Sequence, residues 1–152
     1  MYGPVLIIHS WLRWATLFLA AGSTLSALRR DDDLSRRPPG AHWDAALMAA
    51  ADLQVLFGLV LYFGLSSLTV DALNDFGSIS GNSVLMFWAV WHVAAMLGAA
   101  VLVRVGRVLA LSAKTSQQRR RRRLVAFAIT TVVMLAATPW PGLSYARPLF
   151  RW

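Results

Sequence analysis

Apolar residues in this chain fall in four long blocks separated by short polar links, with neither the strict alternation of half-buried strands nor the narrow stripe of a soluble helix. A hydrocarbon core of roughly 30 Å needs about 20 mostly apolar residues per helical crossing. Spans meeting that need run over about 4–28, 43–65, 82–111 and 123–140. In lipid each backbone amide must be satisfied within its own segment, so the blocks predict helices rather than strands. Pro4 opens the first, where a missing N–H does no harm, and Pro139 and Pro141 close the last. The expected fold is all-α: a single transmembrane domain over 1–152, a four-helix bundle followed by an aromatic and arginine-rich tail at 141–152.

Composition agrees. Residues are 57% hydrophobic and 14% charged, with a mean hydropathy of +0.54, which fits an integral membrane protein rather than a soluble globule. There is no cysteine, which excludes disulfides, iron–sulfur clusters and thiolate ligation of haem. No basic n-region precedes the first block, so that segment is expected to stay in the mature protein.

Charge sets the expected orientation. The first link holds Arg29, Arg30, Arg36 and Arg37, partly offset by Asp31, Asp32 and Asp33, and the third holds Lys114 and five consecutive arginines at 119–123. Both should face the cytoplasm by the positive-inside rule. The link at 66–81 carries Asp71 and Asp75 and no Lys or Arg, so it and both termini face the periplasm of a bacterial inner membrane. The net charge of +8 and the arginine run read as a topogenic anchor meeting anionic headgroups, not as a nucleic-acid site. The tail suits the headgroup layer or a neighbouring subunit.

A few ionisable groups interrupt the blocks, and at membrane depth such groups are functional candidates. A rise of 1.5 Å per residue places His9 about 8 Å, Arg13 about 14 Å and His92 about 15 Å from the outer face, and Asp52 about 14 Å from the inner one. His9 and Arg13, four apart, share a helix face. Arg13 and Asp52 are expected to pair, since each alone is a costly charge in hydrocarbon. Gln54 faces elsewhere and suits a bond to a neighbouring helix or partner. His92 is either an axial ligand to haem iron or pigment magnesium, with His9 opposite, or a hydrogen-bonded interior histidine. His42, beside Trp43, reads as interfacial. Small-residue pairs (Gly22 and Ser26, Ala46 and Ala50, Ala94 and Gly98, Ala95 and Ala99) favour close helix contacts.

Four stretches carry a resemblance: His9-Ser10-Trp11-Leu12-Arg13-Trp14, the second-helix run from Asp52-Leu53-Gln54 to Tyr62-Phe63, Phe87-Trp88-Ala89-Val90-Trp91-His92, and Pro139-Trp140-Pro141 with Arg147-Pro148-Leu149-Phe150. Together they resemble the small four-helix membrane proteins of Bacteroidetes-type bacteria labelled cytochrome b-like, over nearly the whole chain. The resemblance implies an inner-membrane protein associated with electron transport, with His9 and His92 at histidine positions of that pattern. The chain departs from it at Asp52, where the pattern tends to have a histidine, and at Trp91, where a glutamate often precedes the third-helix histidine.

Two functions are expected from these features. The first is a non-catalytic accessory subunit packed beside a larger respiratory or photosynthetic electron-transfer complex, holding lipids or pigments such as bacteriochlorophyll or carotenoid. The second is an electron-transfer protein in which His9 and His92 ligate haem b, or a chlorophyll-type pigment, and Arg13 faces a propionate. No nucleophile with an adjacent base appears, so no enzymatic role is expected.

Overall fold

The computed structural model describes residues 1–152, apart from the side chains of Phe76 and Ser78. Five helices and no strand are present among the described residues: α1 (Tyr2–Leu28), α2 (Ala41–Leu65), α3 (Ser67–Asn74), α4 (Ser83–Leu111) and α5 (Ser116–Ala136). The last turn of α2, Leu61–Leu65, and the second turn of α4, Phe87–Trp91, are π-helical. α1, α2 and α4 are each long and apolar enough to span a membrane.

α1 packs along α2 on one side and α5 on the other, and α5 packs along α4; of the four contacts between neighbouring long helices, that between α2 and α4 is the thinnest. Ala20, Leu47, Ala99, Val103, Phe127 and Met134 from all four long helices meet in the shared core. Small side chains let the backbones close in: a methyl group on Gly106 would collide with the Cβ of Ala126. Of the small-residue pairs read from the sequence, Ser26, Ala50 and Ala99 are buried, while Ala46, Ala94 and Gly98 face outward.

Two boundaries differ from expectation. α5 starts at Ser116 rather than near 123, because Thr115 caps it by accepting from the Gln118 amide, which places the whole arginine run inside the helix. It ends at Ala136 rather than near 140, short of Pro139 and its restricted neighbour. The short helix α3, within the acidic link, was not anticipated.

The helical arginine run organises its end of the bundle. Arg119 and Arg123, one turn apart, both face inward. Arg119 makes a two-pronged contact with Asp31 at 2.6 and 2.7 Å and donates to the carbonyls of Asp33, Leu34 and Arg36. Arg123 grips Asp44 at 2.8 and 2.9 Å and donates to the Pro39 carbonyl and the Ser26 hydroxyl. Arg120 and Arg122 donate to the last carbonyls of α1 and α4, where a cation complements the helix dipole. The 29–40 link is thus folded over the basic helix. Within it, the Ser35 hydroxyl and amide both donate to Asp33 and hold its carboxyl below the ordinary aspartate range.

Candidate functional site: a two-histidine cavity

Between the long helices, in the half of the bundle that holds the start of α1, lies a partly open cavity. His9 and Arg13 of α1, Gln54 and Gly58 of α2, Trp88 and His92 of α4, Thr138 after α5, and Arg147 and Arg151 of the tail all line it. The remaining wall is mostly Leu, Val and Met, and no described residue lining it is acidic.

His92 is held in a defined state. Its Nδ1 lies 2.9 Å from the Ala137 carbonyl. A carbonyl only accepts, so Nδ1 carries the proton, and a neutral ring then presents its lone pair at Nε2. No protein group among the described residues bonds Nε2. This is the orientation that a backbone acceptor gives a metal-ligating histidine.

His9 stands against α2. Its Nε2 is 3.3 Å from the Gln54 side-chain nitrogen. Gly58, one turn beyond Gln54, makes room for the ring: a methyl group there would come within 3.2 Å of the imidazole Cε1. Since an amide NH₂ donates, Nε2 accepts and Nδ1 keeps a proton without an acceptor. Six buried side-chain polar atoms among the described residues lack a hydrogen-bond partner, and four of them belong to residues of this cavity: His9 Nδ1, Arg13 Nε, Gln54 Oε1 and Trp88 Nε1. Buried polar atoms are ordinarily satisfied, so a cluster of unsatisfied ones marks a place built for something besides protein.

The tail closes over the start of α1. Trp11 and Trp14 donate their ring N–H groups to the carbonyls of Arg151 and Leu149, and Arg13 donates to the Leu149 carbonyl as well. Phe150 stacks on Trp14 with ring centres 5.4 Å apart, Tyr145 stacks on Phe87, and the Arg147 guanidinium sits over the Trp88 ring at 5.2 Å. These contacts bring Arg13, Arg147 and Arg151 to one cavity with no countercharge.

The expected Arg13–Asp52 ion pair does not form. Asp52 pairs instead with Arg104 of α4, and Arg13 turns to the tail. The reason is angular: Gln54 faces α1 and His9, and two residues back along a helix is about 200° around, which points Asp52 away from α1. The structure thus brings His9, Arg13 and His92 together and leaves Asp52 outside. His42 is exposed and stacks beside Trp43, away from the cavity. Gly58, Trp88, Arg147 and Arg151 were not singled out in the sequence as site residues. Only the one-turn spacing of Gln54 and Gly58 hinted at a shared face.

Among the described residues no group of three or more His, Cys, Asp or Glu converges on a point. Two imidazoles on different helices, His9 and His92, face the cavity. No protein family, curated protein or solved structure was found to match this chain.

Proposed function

We propose that this chain is a multi-pass protein of a bacterial inner membrane that binds haem b between His9 and His92 and passes electrons to or from a larger respiratory or photosynthetic complex. In this reading α5 is a fourth crossing, both termini are periplasmic and the two basic links are cytoplasmic. The observation that carries it is the convergence of two histidines and three uncompensated arginines on one largely apolar cavity.

Each group present has a task. His92, with Nδ1 fixed by Ala137, would hold the iron through Nε2. His9 would hold it as well, once freed from its contact with Gln54. Arg13, Arg147 and Arg151 meet carboxylates, which haem b carries free and chlorophylls carry esterified; this favours haem over a magnesium pigment. Leu, Val and Met in the wall and the Trp88 ring exclude water. Bound iron would supply one-electron redox chemistry, at a potential set by its axial ligands and burial. Such a carrier needs a donor and an acceptor, and these define its partners.

A second reading, the non-catalytic accessory subunit, draws on a different observation: the His9 ring is already seated between Gln54 and Gly58, as a packed interior histidine would be.

Hemin titration of the purified protein in lipid nanodiscs separates the two. Trp88 lies 5.2 Å, centre to centre, from the His92 ring, so binding should quench tryptophan fluorescence saturably at one equivalent. His92→Ala should weaken binding by more than about tenfold, the loss of roughly 1.4 kcal/mol or more. Unsaturable quenching that is indifferent to His92 would leave the scaffold reading.

A further inference from the structure

The Asp52–Arg104 pair is unlike the other ion pairs that join distant parts of the chain. Arg119–Asp31 and Arg123–Asp44 have side chains no more than 8% exposed, whereas Asp52 and Arg104 are 47% and 46% exposed. They lie on the open side of the bundle, where α2 and α4 touch least. Asp52 is eight residues beyond Asp44 along α2, about 12 Å further from the arginine-rich end. Arg104 does not snorkel back toward that end. Its second guanidinium nitrogen donates to the Ala100 carbonyl, one turn toward the bundle centre, as the tilt of helical side chains favours. Around the pair Leu56, Val101 and Val105 are open, and Arg107, one turn toward the arginine-rich end, lies half-buried against Met48 on the same seam. A half-open cation and anion on the lipid-facing side of two spanning helices is costly unless something covers both.

From this geometry we infer that the α2–α4 face is the interface of a twofold homodimer, in which Asp52 of each copy meets Arg104 of the other. The covering partner must bring an anion and a cation to the same depth, and a second copy of this chain does so by symmetry. About a twofold axis the face is self-complementary, and Asp52 and Arg104 of the two copies close into a ring of alternating charge. The inference is independent of haem binding, since neither residue lines the cavity.

A charge exchange between copies tests it. Asp52→Arg makes both positions cationic, and Arg104→Asp makes both anionic. Each variant alone repels its own copy; mixed together, both contacts re-form between chains although neither chain keeps its internal pair. In liposomes, energy transfer between differently labelled copies should show association of the wild type, a loss of roughly tenfold or more for each variant alone, and recovery in the mixture. A mixture no stronger than the single variants overturns the inference, as does a wild type that stays monomeric. If the variants fail to fold, oxidative cross-linking decides. The chain has no cysteine, so Val101→Cys should give a dimer in membranes and Val132→Cys on α5 should not. No cross-link at Val101, or one to a different protein, contradicts it.

Discussion

Removing the buried cation Arg123 should be among the most damaging single changes in the protein. Its side chain is 2% exposed and makes a two-pronged bond to Asp44, itself 8% exposed, with further bonds to the Pro39 carbonyl and the Ser26 hydroxyl. Arg123→Leu keeps the volume of the stem but leaves the Asp44 carboxylate buried without a countercharge. Breaking one side of a buried pair costs about 3–5 kcal/mol. At about 4 kcal/mol the folding constant falls roughly a thousandfold. The double variant Arg123→Leu/Asp44→Leu removes both charges, so its cost should fall short of the summed single costs by at least about 2 kcal/mol. Arg121→Leu, on the exposed face of the same helix, should stay within about 0.5 kcal/mol. Equilibrium unfolding in dodecyl maltoside titrated with sodium dodecyl sulfate, followed by circular dichroism, measures these three variants and the Asp44→Leu single. A loss below about 1 kcal/mol for Arg123→Leu, or strict additivity in the double variant, would refute the reasoning.

Two further expectations concern the helix contact and the tail. Gly106→Ala drives a methyl group into Ala126, so α4 and α5 must part; it should cost about 1–3 kcal/mol in the same assay. Gly98→Ala, with nothing within 4 Å of the added carbon, should be close to neutral. Trp14→Ala removes both the bond to the Leu149 carbonyl and the stack on Phe150. Chymotrypsin should then cleave after Phe150 roughly tenfold faster, since the lost contacts together amount to about 1.4 kcal/mol or more. Unchanged cleavage would mean that the tail is held by other contacts.

The long helices were legible because lipid demands uninterrupted apolar length: α1, α2 and α4 follow their blocks to within two residues. The start of α5 was not, because five arginines read as a solvated link. Their helical logic, Arg119 and Arg123 inward and Arg120 and Arg122 on neighbouring carbonyls, depends on acceptors far away in sequence. α3 escaped notice because its eight residues are too short to cross a membrane. The site was half legible. His9, Arg13 and His92 stood out as ionisable groups in apolar blocks, whereas Arg147 and Arg151 reach the cavity only because the tail folds back over Trp11 and Trp14. The Arg13–Asp52 expectation matched depth and ignored direction. Depth follows from residue count, but pairing also needs the angle around each helix, and Arg104, the actual partner, lies in a different block.

The central claim is that His9 and His92 form one ligand pair, and the visible spectrum of the purified protein, oxidised and dithionite-reduced, tests it most directly. The account predicts a sharp α band on reduction, lost in His92→Ala and in His9→Ala and kept in Asp52→Asn, which lies outside the cavity. A colourless protein that also takes up no hemin, or a band indifferent to both histidines, would contradict it.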